Sequence, residues 1–119
     1  MMHTDLEVYK SSMLLVKEIY GLTTNFPRDE IWGLVSQMKR SASSVPYNIS
    51  EGCGRKSRAE LLNFLNIALG SITELNTQID IAIMLEFIKD PAEAEKCRSL
   101  ALSLKRQLLG LIKANTNKQ

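Results

Sequence analysis

Apolar residues recur every third or fourth position along most of this chain, the spacing of one face of an α-helix. The first such stretch predicts a helix over about 5–22. Leu6, Tyr9, Met13, Val16 and Tyr20 form its main stripe, and Leu15, Ile19 and Leu22 widen it, so burial on more than one side is expected. Thr4 or Asp5 would cap its start, and Glu7 would sit in the first turn, where the helix dipole favours an acid. Pro27 then opens a second helix over about 28–52, with the stripe Ile31, Leu34, Met38, Ala42, Val45 and Ile49. Trp32 falls off that stripe and is expected to be covered by another helix or another subunit.

The longest pattern predicts a third helix over about 58–88, roughly 45 Å at 1.5 Å per residue. Leu61, Leu65, Ala68, Ile72, Leu75, Ile79 and Ala82 alternate steps of four and three, as a bundle seam does. A second line on this helix is small or polar: Asn63, Asn66, Gly70, Thr73 and Thr77. Glycine inside a helix costs about 1 kcal/mol relative to alanine, so Gly70 suggests a close helix approach. Ser57 and Glu60 have capping-box spacing at the start of this helix. A fourth helix over about 91–113 carries the seam Cys97, Ala101, Leu104, Leu108 and Leu111, with Leu100, Leu102, Leu109 and Ile112 spread around it. Four helices with short connections predict an all-α, antiparallel up-down-up-down four-helix bundle, one domain over residues 1–119.

The stretch SASSVPYNISEGCGRKS, residues 41–57, interrupts this regularity. Pro46 removes one backbone bond and presses on the carbonyl of Ala42, yet the apolar stripe continues through it. One kinked helix fits that continuity, with Ser43 and Ser44 placed to satisfy freed carbonyls; a helix ending at Val45 is the alternative. Gly52 and Gly54 are expected to end the helix in the left-handed conformation.

Composition narrows the class without changing the fold. With 119 residues, 45% of them hydrophobic and 24% charged, the chain suits one soluble domain with a modest core. No signal peptide opens it and no apolar run approaches a membrane span, so a cytoplasmic location is expected. Cys53 and Cys97 have neither metal-type spacing nor the look of a disulfide framework. Net charge is only +2, but unevenly spread. Between residues 59 and 95 the acids Glu60, Glu74, Asp80, Glu86, Asp90, Glu93 and Glu95 face Lys89 alone. Beyond them come Lys96, Arg98, Lys105, Arg106, Lys113 and Lys118 with no acid. Nucleic-acid contact is one reading of that asymmetry; mutual complementation of acidic and basic helices is the other.

Catalytic chemistry finds little to work with, and no enzyme, metal or cofactor is expected. A di-metal bundle needs Glu-x-x-His motifs, and the only histidine is His3. Glu51 and Glu74 are the carboxylates best placed for acid–base work, but each is better explained by a basic partner. Glu74 is expected to pair with Arg40 in or near the core, a structural role whose loss from one side would cost roughly 3–5 kcal/mol. Cys53, between glycines in a basic turn, is a weak thiol candidate. SEGCGRK lacks the spacing and preceding strand of a phosphate loop. There remain the bases Lys39, Arg40, Arg55, Lys56 and Arg58, which read either as phosphate contacts or as a solvated turn with one structural ion pair.

The pattern FPRDEIWGLVSQMKRSASSVPYNISEGCGRKS, followed by ELLNFLNIALGSITELNTQIDIA, resembles a four-helix-bundle family. The family is named for proteins encoded in intervening sequences of bacterial 23S rRNA genes. The matching positions are Ser44, Pro46, Asn48, Ile49, Glu51, Gly52, Gly54 and Arg55, then Ala68, Gly70, Ser71, Glu74 and Leu75. The resemblance implies a small helical bundle assembled as a pentameric, ring-shaped barrel. The chain is also similar to the accessory protein of diversity-generating retroelements, which implies nucleic-acid binding and a reverse-transcriptase partner. Residues and resemblance together lead to the expectation of a non-enzymatic oligomeric scaffold. It would bind RNA or an RNA–DNA hybrid through Arg55, Lys56, Arg58 and Lys39, within a ribonucleoprotein. Pro46, Asn48, Gly52 and Gly70, with Arg40 and Glu74, would serve the fold. A protein–protein adaptor without nucleic-acid binding is the competing expectation.

Overall fold

In a computed structural model, which describes residues 6–116, the periodic stretches become four α-helices: α1 (Glu7–Thr23), α2 (Ser36–Cys53), α3 (Arg58–Met84) and α4 (Pro91–Thr116). Each helix packs on its neighbours in chain order, and α4 closes back on α1. Connections this short return the chain beside itself, which gives the up-and-down arrangement within an envelope of 49 × 24 × 21 Å. The expected caps Thr4 and Asp5, and His3, lie outside the described residues.

The seams of α2, α3 and α4 are buried nearly as the spacing predicts. Met38, Ala42, Val45, Ile49, Leu65, Ala68, Ile72, Leu75, Ile79, Ala101, Leu104 and Leu108 are fully enclosed. α1 is different. Its core line is Val8, Ser12, Leu15, Ile19 and Leu22, while Met13 and Tyr20 of the expected main stripe stand about half exposed. The helix carries two apolar faces, and only the tertiary packing selects which of them enters this core. Ser12 can be buried there because its hydroxyl donates to Tyr9 O at 2.7 Å.

The second helix departs from expectation at its start. Residues Arg28–Glu30 form a 3₁₀ turn and Ile31–Val35 a π turn, and the backbone breaks at Gly33 (φ −105°, ψ −113°). Glu30 Oε1 accepts from Leu34 N at 3.2 Å, capping the restarted helix, and stands 3.0 Å from where a Gly33 Cβ would lie. Trp32 is thrown outward and is 91% exposed. The interruption of this region is therefore at Gly33, while α2 runs unbroken through a buried Pro46. Ser44 does not serve a freed carbonyl there. Its hydroxyl pairs with Ser71 Oγ of α3 at 2.8 Å and accepts from Asn48 Nδ2 at 2.9 Å, while Asn48 Nδ2 also donates to Ser44 O at 2.7 Å.

The glycines also serve differently from the expectation. Gly54 ends α2 with φ −84° and ψ −7°, and no glycine among the described residues has a positive φ. Gly52 is buried because α3 comes close: a Cβ there would meet Phe64 Cβ at 3.0 Å and Leu61 Cδ1 at 3.2 Å. Gly70, expected at a close approach, has open space around it.

α3 stops at Met84, a turn short of the expected end at residue 88. Glu86 N donates to Ile83 O at 3.0 Å and Phe87 N to Ala82 O at 2.9 Å, the paired bonds of a Schellman ending. This reversal turns Phe87 back onto Phe26, ring centroids 5.6 Å apart. It also puts Glu86 at φ 62°, the one non-glycine residue with positive φ among those described. Such a conformation costs an L-residue about 1–2 kcal/mol, part of which glycine's larger unfolded-state entropy offsets. Glu86→Gly is therefore expected to raise stability by about 0.5–1 kcal/mol, read as a higher urea midpoint with an unchanged slope.

Candidate nucleic-acid interface

The turn between α2 and α3, residues 54–57, exists because α2 ends at Gly54 and Ser57 begins α3. Ser57 Oγ accepts from Glu60 N at 3.1 Å, the first bond of the expected capping box, and donates to Glu60 Oε1 at 3.2 Å, so the carboxylate meets the Ser57 hydroxyl in place of its backbone N–H. Arg55 lies inside this ending. Its guanidinium meets Glu51 Oε1 at 2.5 Å and Glu60 Oε2 at 3.7 Å, and sits over the Phe64 ring with Cζ 5.0 Å from the centroid. Arg55 thus ties the end of α2 to the start of α3, and it supplies the basic partner that Glu51, at an unfavourable helix end, calls for. Lys56 and Arg58 flank it on the exposed turn.

Lys39 belongs elsewhere. It lies fourteen residues before Cys53 on α2, about 21 Å along the axis, and its Nζ rests 4.6 Å from the Tyr20 ring centroid on α1. The four bases expected to act together therefore form two groups, one at the end of the bundle and one near the middle of the α1–α2 face. Around Lys39 an open groove of about 480 Å³ is lined by Tyr20, Lys39, Arg40, Ser43, Ser44, Tyr47 and Asn48. Tyr47 is not among the residues that charge and motif pick out in the sequence. Its signal was available, since it lies seven residues after Arg40, on the side of α2 opposite the Met38–Ile49 seam.

Arg40 and Glu74 do not form the buried pair expected of them. Both are exposed, and no ion pair joins them among the described residues. They border one polar depression with Gln37, Ser41 and Gln78, and Glu74 Oε1 accepts from Ser41 Oγ at 2.7 Å. Ser41 and Gln78 are its buried members, 3% and 6% exposed, and the Ser41 hydroxyl needs a partner between α2 and α3. The carboxylate reaches in from the rim to supply it.

Acidic and basic helices do complement one another in part. Arg98 of α4 pairs with Asp80 of α3, and Lys96 of α4 with Glu18 of α1 at 3.2 Å. The thiols are not activated. Partial burial pushes the Cys53 thiol up from its ordinary value, and burial, reinforced by Glu18, pushes that of Cys97 to about 11. Among the described residues no cluster of histidine, cysteine and carboxylate side chains could hold a metal, and no helix is long and apolar enough to cross a membrane.

The bundle is similar to a crystal structure of a protein of unknown function from the S23 ribosomal protein family of Bacteroides thetaiotaomicron. The two align with a TM-score of 0.81 at 26% identity, over 89% of this chain and 95% of that one. No functionally curated protein matches. The sequence model of the 23S rRNA-intervening sequence protein family matches residues 4–110. With the four-helix fold, the Ser57–Glu60 cap and the close α2–α3 contact at Gly52 already established, that match shows that the chain belongs to the 23S rRNA-intervening sequence protein family.

Proposed function

We propose that this protein is a non-enzymatic oligomeric scaffold that holds RNA, or an RNA–DNA hybrid, against cations at the α2–α3 end of each bundle. The observation that carries this reading is the placement of Lys56 and Arg58 on an exposed turn at the end of the bundle, where the 27-residue α3 begins. A long helix adds the positive end of its dipole there. In a ring of copies with aligned bundle axes, all such turns fall on one rim, and the summed field exceeds what a chain of net charge +2 suggests. Assembly itself is supported by apolar surface this core leaves outside: Met13 and Leu14 on α1, Ile67 and Ile81 on α3, Leu102 and Leu109 on α4. Five copies is the number the family resemblance implies, with a ribonucleoprotein or reverse transcriptase as the partner.

Arg55 has a different part in this reading from its neighbours. Its two carboxylate contacts and its ring contact assign it to holding the turn, and the phosphate contacts fall to Lys56 and Arg58 on the ground of their exposure where α3 begins. A titration of structured RNA at two salt concentrations tests this. Parent affinity is expected to fall steeply with salt, and Lys56→Gln/Arg58→Gln to bind more weakly with a salt slope flatter by about 2. No affinity even at low salt would favour the protein–protein adaptor, for which the exposed Trp32 is the supporting observation. Light scattering checks the assembly: a mass that stayed at the single-chain 13.4 kDa across micromolar concentrations would overturn it.

A further inference from the structure

We infer that the groove on the α1–α2 face is a site for one unpaired nucleotide of a single-stranded segment, an inference that rests on the nucleic-acid binding proposed above. Its chemistry is mixed in a particular way. Lys39 and Arg40 bring two cations, and no carboxylate is among the lining residues. Tyr47 presents a ring that is 72% exposed, seven residues or about 10 Å along α2 from Arg40. Between them lie Ser43 and Ser44, small side chains that keep the floor low.

The floor is also fixed. Ser44 is held to Ser71 across the helix interface, and Asn48 donates twice to Ser44, which leaves its amide oxygen to accept. Ser43 Oγ has no hydrogen-bond partner among the described residues. Lys39 is steadied over the Tyr20 ring. A free inorganic anion would use the two cations but not the exposed ring. An apolar peptide would use the ring but leave two cations without counter-charge. A nucleotide uses both: its phosphate meets Lys39 and Arg40, its base stacks on Tyr47, and its polar edge meets Ser43 and Asn48. Stacking on Tyr47 needs a base outside a duplex, so the site selects single-stranded over paired segments.

The test is fluorescence anisotropy with two labelled probes, a short oligouridine and a fully paired RNA duplex. Tyr47→Ala is expected to weaken the single-stranded probe roughly 5- to 150-fold while leaving its salt slope and the duplex affinity unchanged. Tyr47→Phe should bind as the parent does, because the ring and not the hydroxyl stacks. Lys39→Gln/Arg40→Gln should weaken the single-stranded probe and flatten its salt slope. If the parent binds duplex or single strand and Tyr47→Ala binds both equally well, the groove is not the site, while the proposed function stands. If the parent binds neither probe at low salt, both readings fall together. If Tyr47→Ala changes the oligomeric mass by light scattering and leaves RNA affinity intact, the groove is a contact between copies and the inference is overturned.

Discussion

Leu75→Ala should destabilise the bundle by about 2–5 kcal/mol, whereas Glu74→Ala, one residue away, should cost about 1–2, the penalty of the Ser41 hydroxyl it leaves unpaired. Leu75 is fully buried in the seam of α3, so its truncation removes apolar contacts from a core closed on all sides and leaves a cavity. Glu74 is exposed and contributes one hydrogen bond, to Ser41. The buried Arg40–Glu74 pair expected from sequence would instead make Glu74→Ala cost roughly 3–5 kcal/mol, comparable to Leu75→Ala. Urea unfolding of the two single variants separates these cases. Near-equal midpoints for them would restore the buried pair, and Arg40→Ala, expected to be close to neutral, is the third member of the set.

The glycines give the second large contrast. Gly52→Val is expected to destabilise by about 2–3 kcal/mol, because its side chain must enter space already taken by Phe64 and Leu61. Phe64 Cβ sits where α3 leaves its own first turns, so relief would require α2 and α3 to separate. These two helices share the most extensive contact in the bundle, and moving them apart loosens the packing on either side. Gly70→Ala is expected to do the reverse and stabilise by about 1 kcal/mol, since its surroundings are open and alanine favours the helix. A Gly70→Ala variant that keeps its fold but loses its oligomeric mass would show that another copy uses the space beside Gly70. Thermal melts at matched protein concentration, with light scattering on each variant, read both results.

Much of this protein follows from local rules that act within a turn or two of helix. The seams of α2, α3 and α4 could be written down from three-and-four spacing because a helix buries whichever continuous stripe excludes most apolar surface from water. Ser57 and Glu60 announced their cap because the bonds span only three residues. Family membership was legible for a related reason, since motif positions such as Ser44, Gly52 and Ser71 lie along the α2–α3 contact, and Gly54 and Arg55 in the turn that follows it.

What only the tertiary structure decided are the choices between local options of similar energy. α1 has two apolar faces, and which one enters the core depends on where α2 and α4 stand. The end of α3 at Met84 is set by Phe87 turning back to Phe26, a contact across some sixty residues that outweighs the helical pattern continuing to Ile88. Glu74 finds Ser41 and not Arg40 because a buried hydroxyl must be bonded, whereas an exposed guanidinium is already served by water. The division of the bases into two groups, with Arg55 bound into the turn and Lys39 beside the Tyr47 groove, follows from helix geometry that no linear cluster reveals. Residues near in type and function in the sequence are separated by the 1.5 Å rise of α2, and those far apart, Tyr20 and Lys39, are brought together by the packing of α1 against it.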